Sequence, residues 1–86
     1  MAKYKIQVKK SAEKELRKIQ KKDLIKILGK IENLSENPHP LGSLKLTNQD
    51  KYRIRVGNYR VLYTVEDSVL TVIVVKVGHR REIYNS

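Results

Sequence analysis

A basic hairpin in the middle of the chain carries the side chains best suited to chemistry. Apolar and basic residues alternate on both sides of Gly57-Asn58, a two-residue turn typical of β-hairpins. If these two residues form the loop, Arg55 lies opposite Arg60, and alternation places Arg53 on the same face. Neither strand contains an acidic residue. The pattern therefore predicts three uncompensated guanidinium groups on one face, an arrangement that favours binding a phosphate.

The face that carries Arg53, Arg55 and Arg60, here called the arginine face, has a second interpretation. Basic residues on a strand also deter edge-to-edge aggregation. Clustering on one face, rather than on both, favours the anion site. As a surface residue, Arg60 is expected to contribute little to stability. The other face of the hairpin is apolar and aromatic and is expected to pack against helices; its members are Tyr52, Ile54, Val56, Tyr59, Val61 and Tyr63.

Apolar residues are also predicted on the arginine face. Alternation puts Leu62 there, together with Ile73 and Val75 of the next strand. Bare apolar side chains beside charged ones are typical of a surface that a C-terminal tail or a partner protein covers.

Length and composition limit the class of protein. The 86 residues are expected to form one domain, residues 1–86, and the net charge of +10 implies a polyanionic partner such as nucleic acid or an acidic protein. A membrane is the least suitable partner, because no helix is rich in Trp or Phe. With no cysteine, no signal-peptide-like segment and no membrane span in the sequence, we expect a cytoplasmic protein.

The remaining patterns predict a small α+β fold. Residues 4–8 alternate as a strand, Ser11 and Asp23 are predicted to cap two helices, and residues 69–77 form a β-branched run. Three or more antiparallel strands follow the helices. We therefore expect an antiparallel sheet of about four strands packed against an N-terminal helical hairpin. The helix lysines are interpreted as a solvated face.

The residue types that are missing narrow the chemistry. The two histidines are far apart, cysteine is absent and there is no glycine-rich phosphate loop, so neither a metal site nor a cofactor is expected. Arginine, tyrosine and a histidine near the C-terminus remain. They suit a reaction in which the substrate supplies its own nucleophile, as RNA does with its 2′-hydroxyl. Arginine stabilises phosphoryl charge but cannot act as a base, so the base stays open.

The hairpin, together with the ending Val77-Gly78-His79-Arg80 and Tyr84, resembles the RelE branch of the RelE/ParE toxin superfamily of bacterial and archaeal toxin–antitoxin systems. The resemblance extends over nearly the whole chain. It implies a small sheet with a helical hairpin and metal-independent cleavage of mRNA in the ribosomal A site. It also implies silencing by a RelB-like antitoxin, in a heterodimer or heterotetramer.

The resemblance also implies roles for individual residues. The residues expected to be catalytic are Arg53, Arg55, Arg60, Arg80 and Tyr84. The best-known members have lysine at the two β-strand positions before the turn, and one of these lysines is proposed as the base. Since both are arginine here, His79 and Tyr84 are the candidates for proton transfer. The residues expected to contact RNA or the ribosome are Lys51, Lys76 and Arg81.

Two other functions remain open at this stage. The ParE branch has the same fold and inhibits DNA gyrase, but the match of the tail arginine and tyrosine favours RelE. A basic module that binds RNA or antitoxin with weak or no catalysis is the third possibility, and the change from lysine to arginine favours it. Cleavage of ribosome-bound mRNA would separate the first function from the other two.

Overall fold

Five strands form one sheet, and two helices pack on one of its faces. The computed structural model describes residues 3–46 and 50–79. In chain order the elements are β1 (Lys5–Val8), α1 (Lys10–Arg17), α2 (Lys21–Asn33), β2 (Leu44–Lys45), β3 (Lys51–Val56), β4 (Tyr59–Glu66), a 3-10 helix (Asp67–Val69) and β5 (Thr71–His79). The strand order across the sheet is β1-β5-β4-β3-β2.

This architecture confirms the predicted α+β fold, with two differences in the sheet. It has five strands rather than about four, because the short β2 pairs with β3. It is mixed rather than purely antiparallel, because β1 pairs with β5 in parallel. Parallel neighbours need a long crossover between them. Here that crossover contains both helices and the three other strands.

Both helices begin slightly before their predicted caps. The backbone N–H of Lys9 donates to the carbonyl of Val74 at 2.9 Å, so pairing with β5 continues up to the N-cap residue, directly before α1 begins. Ser11 therefore lies inside the first turn, and neither helix has a side-chain N-cap hydrogen bond among the described residues. Asp23 lies in the first turn of α2, where its charge still complements the helix dipole.

The core lies between the helices and the apolar face of the hairpin. All six hairpin side chains predicted to face the helices belong to this core or pack against it, so that prediction is confirmed. Its buried members are Ala12, Leu16, Ile27, Ile31, Leu34, Ile54, Val56, Val61, Tyr63, Val72, Val74 and Val77. Within the described part of the chain, neither helix has the length and apolar character needed to cross a bilayer.

A bulge in β5 changes which of its side chains face the core. Leu62 pairs with Lys76, whereas the next residue of β4 pairs with Val74, so Val75 is an extra residue in the ladder. Even-numbered side chains of β5 face the core before the bulge, and Val77 faces it afterwards. After the bulge, each side chain of β5 therefore points to the face opposite the one that simple alternation predicts.

Candidate nucleic-acid interface

The hairpin that carries the arginines forms in the predicted register. Arg55 pairs with Arg60, and Gly57-Asn58 is the two-residue loop between them. Gly57 has φ +61°, whereas Asn58 has no positive φ, which is the pattern of a type II′ turn. A side chain at position 57 would be strained in this conformation. The glycine thus sets the register that brings the arginines opposite one another.

The three arginines lie on the sheet face that points away from the core, and their charges are close enough to interact. Burial, followed by the positive charges of Arg60 and Arg55, lowers the pKa of the Arg53 guanidinium. Arg53 still stays protonated at neutral pH. Residues 3–46 and 50–79 form no ion pair with Arg53 or Arg55. The arginine face is therefore a concentrated positive surface.

Arg53 carries a hydrogen-bond donor that the described residues leave unsatisfied. The Nε atom of Arg53 is buried and has no hydrogen-bond acceptor among the described residues. An unsatisfied buried donor costs about 1–3 kcal/mol, and more when it is charged. An anion that accepts a hydrogen bond from this nitrogen would recover that cost, so the geometry favours anion binding.

The three arginines differ in exposure. Arg55 is exposed and Arg53 is half-buried, but Arg60 is only 6% exposed. The expectation that Arg60 is a surface residue is therefore wrong. The reason is its position on β4, which has a neighbouring strand on each side, whereas β3 lies next to the two-residue β2.

The apolar residues predicted on the arginine face are largely covered. Leu62 is 2% exposed, although it lies outside the main core. Ile73 and Val75 are half-buried, and Val75 is the bulge residue. The expected covering of the apolar side chains is therefore present at Leu62, and what the face offers to a partner is mainly charge.

His79 is separated from the arginines by the bulge. It pairs with Tyr59 at the end of β5, and the two rings meet edge to face with centroids 5.8 Å apart. Tyr59 packs against the core, on the helix side of the sheet. The strand register therefore puts His79 on the face opposite Arg60.

The other predicted site residues divide by location. Register puts Lys51 on the arginine face, where it is exposed, and pairs Lys76 with Leu62 of the same face. The Nζ atom of Lys76 nevertheless lies 3.9 Å from Glu15 Oε2 of α1, which packs on the other face of the sheet. Glu15 also accepts a hydrogen bond from the backbone N–H of Val77 at 2.9 Å, which ties α1 to the end of β5. The remaining predicted residues, Arg80, Arg81 and Tyr84, lie outside the described residues, so their roles stay predictions.

A cavity of 520 Å³ lies along the outer edge of β3, beside the arginine face. Its lining includes Arg53 and Arg55 of β3 together with Lys30 and Asn33 of α2. The pairing of β2 ends at Arg53, so the edge beyond it has no strand partner among the described residues. Lys30 is not among the predicted site residues, because no local sequence pattern tells which part of α2 meets β3.

Comparisons with known proteins agree with this geometry. Residues 6–84 match the family described as the ParE toxin of type II toxin–antitoxin system, parDE. The putative toxin RelE4 of Methanocaldococcus jannaschii is 35% identical over 85 residues, which cover 94% of this chain and 90% of that protein.

Chains of solved toxin–antitoxin complexes have the same fold as this protein. A chain in the toxin–antitoxin complex RelBE2 from Mycobacterium tuberculosis superposes with a TM-score of 0.83 at 26% identity, covering 93% of this chain and 94% of that one. A chain of the archaeal RelE–RelB complex from Pyrococcus horikoshii gives 0.82 at 28% identity, covering 93% and 97%. Since the family match spans nearly the whole chain, this protein belongs to the RelE/ParE superfamily of toxins from type II toxin–antitoxin systems.

Proposed function

We propose that this toxin is an endoribonuclease that cleaves mRNA in the ribosomal A site and so inhibits translation. The observation that carries the proposal is the arginine cluster, in which Arg53, Arg55 and Arg60 share one face and Arg53 keeps a buried, unsatisfied donor. Planar guanidinium groups match the paired oxygens of a phosphate. The similarity to a relative named as a RelE toxin supports the same conclusion.

In the proposed reaction the RNA provides the nucleophile. The 2′-oxygen attacks the adjacent phosphorus, the bond between them forms, and the bond from phosphorus to the 5′-oxygen breaks. One proton leaves the 2′-hydroxyl, and one proton reaches the departing 5′-oxygen. Arginines already positioned around the phosphate stabilise the negative charge that develops on its oxygens. On this mechanism the arginine charges stabilise the transition state without a metal ion.

Proton transfer needs a group other than arginine, because guanidinium does not release its proton at neutral pH. We assign it to Tyr84 rather than to His79. The reason is the strand register, which puts His79 on the helix side of the sheet, away from Arg60. Arg80 is assigned a second contact with the phosphate, and Arg81 a contact with RNA or the ribosome.

The proposal includes an antitoxin as partner. The solved relatives from Mycobacterium tuberculosis and Pyrococcus horikoshii are toxin–antitoxin complexes. We expect this chain to bind a RelB-like protein in a heterodimer or heterotetramer. An acidic segment lying on the arginine face would neutralise its charge and exclude RNA. A complex in which that face stays open to RNA would contradict this mode of inhibition.

Inhibition of DNA gyrase is the second candidate function. The observation that favours it is the family match, which is described as a ParE toxin. A toxin acting on gyrase would need no ribosome and would leave mRNA intact. A toxin that bound ribosomes without cutting mRNA would instead fit a basic binding module.

Primer extension on mRNA isolated after induction of the toxin separates these functions. We expect new stops within translated mRNA and none in the same mRNA with its start codon removed. Arg55→Ala should weaken the stops about tenfold or more, whereas Lys22→Ala, which removes an exposed charge from α2 away from the cavity, should leave them unchanged. Inhibition of purified gyrase without mRNA cleavage would overturn the proposal, as would ribosome binding without cleavage.

A further inference from the structure

We propose that the 520 Å³ cavity between α2 and β3, here called the inner cavity, binds one nucleotide of the RNA. In the RNA strand this second nucleotide is the neighbour of the one whose phosphate lies on the arginine face. The phosphate of this second nucleotide is held by Lys30 and Arg55. The inference rests on the proposed function for the identity of the strand as RNA. It adds to that function a subsite on α2, which is remote in sequence from the hairpin.

The charge of the inner cavity favours an anion. Lys30 contributes from α2, and Arg53 and Arg55 contribute from β3. Among the described residues that line this cavity none is acidic, and neither Lys30 nor Arg55 forms an ion pair within residues 3–46 and 50–79. An entering phosphate therefore gains attraction that no lining carboxylate offsets.

The size and the remaining lining suit a nucleotide rather than a bare ion. A volume of 520 Å³ lies within the range of about 300–1,000 Å³ typical of small-ligand sites. The wall formed by the loop after α2 includes Pro40 and Leu41, and the Leu41 side chain is fully exposed. A sugar or base can pack on this apolar wall while its phosphate contacts the cations. Asn33 supplies an amide that can donate to either part.

The inner cavity is continuous with the arginine face. Arg53 lines the cavity, and its charge interacts with that of Arg60 across the hairpin. Beside the inner cavity lies a shallower depression of 640 Å³, which is lined by Lys26 and also by Lys30 and Arg55. The cations thus follow a path around the free edge of β3. Cations arranged in such a row can contact successive phosphates of a single-stranded nucleic acid, whose backbone carries one charge per nucleotide.

The inner cavity, rather than the shallow depression, is the subsite because the depression also contains Glu32, whose carboxylate would repel a phosphate. An acidic antitoxin segment is the other polyanion that could enter. RNA is favoured because the cations lie on two walls of the cavity, on either side of an apolar patch. A nucleotide fits this arrangement, since it has a charged phosphate and a flat apolar base.

Binding of non-cleavable RNA tests the subsite. The probe is a fluorescein-labelled 2′-O-methyl uridine trinucleotide, which lacks the nucleophilic hydroxyl, and the proteins are wild type, Lys30→Ala and Lys22→Ala. Lys30→Ala is expected to weaken binding about fivefold, and to reduce the slope of log K against log salt by about 0.7, the loss of one phosphate contact on a single strand. Lys22→Ala removes the same charge from the same helix outside the cavity and should leave the salt slope unchanged.

Equal affinities and equal salt slopes for Lys30→Ala and Lys22→Ala would overturn the subsite. So would unchanged RNA binding together with weaker binding of an oligo-glutamate peptide, since that result assigns the cavity to an acidic protein. If Lys30→Ala fails to fold, Lys30→Gln provides the same comparison, because it removes the charge and keeps most of the length of the side chain. Absence of mRNA cleavage by the wild type would overturn the endonuclease instead, and a reduced salt slope in Lys30→Ala would still establish the subsite.

Discussion

The two strands of the hairpin have similar alternating sequences but different environments. Residues 60–63 of β4 are each at most 6% exposed, whereas on β3 Arg55 is exposed and Arg53 is half-buried. β4 pairs along its length with β3 and β5, while the outer side of β3 has only the two-residue β2. Position in the sheet, rather than residue type, therefore determines whether an arginine is accessible.

In the proposed reaction, this difference in exposure would give the arginines two different tasks. A buried arginine such as Arg60 is held in place, and a charge fixed before the reaction stabilises a transition state at no cost of reorganisation. An exposed arginine such as Arg55 can meet the substrate as it arrives. We therefore expect substitution of Arg60 on β4 to change both stability and activity, and substitution of the exposed Arg55 on β3 to change activity alone.

The largest effect is expected for Arg60→Ala. Cleavage on programmed ribosomes should fall on the order of 10²–10³-fold, because one donor to the transition state is lost. The free energy of unfolding in urea should also fall by about 1–3 kcal/mol, because a buried side chain is removed. Arg60→Lys, which keeps the charge but loses the planar fork, should recover part of the stability and little of the activity. Normal cleavage by Arg60→Ala would exclude Arg60 from the site.

Arg55→Ala tests the exposed member of the pair. The loss of a charged hydrogen bond to phosphate is worth about 1.5–3 kcal/mol, so cleavage should fall about tenfold or more. The free energy of unfolding should stay within about 0.5 kcal/mol of the wild-type value, as for other surface substitutions. If Arg55→Ala and Arg60→Ala destabilised the protein equally, the contrast between the two strands would be wrong.

The end of β5 supplies a third test, because the bulge separates His79 from the arginines while Tyr84 follows it in the chain. Tyr84→Phe should lower single-turnover cleavage at least about tenfold and leave ribosome binding unchanged, since only a hydroxyl is lost. His79→Gln should cleave at the wild-type rate. Arg80→Ala should reduce both the affinity for RNA and the salt dependence of that affinity. The reverse result for Tyr84 and His79 would transfer the proton-carrying role to the histidine.

Tyr63→Phe, on the buried side of β4, is expected to change stability at high pH and to leave activity unchanged. Tyr63 donates a hydrogen bond to the carbonyl of Pro38 at 2.8 Å, and burial raises the pKa of Tyr63 to about 12. The folded state thus binds this proton more tightly than the unfolded state, whose tyrosine pKa is about 10. The resulting stability, about 2–3 kcal/mol, is complete below pH 10 and is lost between pH 10 and 12.

Urea unfolding at several pH values measures this contribution. The free energy of unfolding should decline less steeply between pH 10 and 12 in Tyr63→Phe than in the wild type, with cleavage at neutral pH unchanged. Parallel declines in the two proteins would mean that Tyr63 titrates as an exposed tyrosine.

The sequence by itself determined the local geometry of the site. Gly57 adopts a left-handed conformation that side chains rarely take, so the turn and the register of the hairpin could be predicted from neighbouring residues. Alternation then assigned Arg53, Arg55 and Arg60 to one face, and the fold class followed from the order of strands and helices. Each of these features depends on residues that are close together in the chain.

Three features were decided only by the tertiary structure. Arg60 is buried because β4 lies between two strands, and Lys30 lines the same cavity as Arg53 and Arg55 because α2 meets the free edge of β3. His79 faces the helices because Val75 interrupts the pairing of β5 with β4. The alternation of a strand is the same at the centre and at the edge of a sheet. A bulge also exists only relative to a partner strand, so these outcomes depend on contacts between distant segments that no local pattern contains.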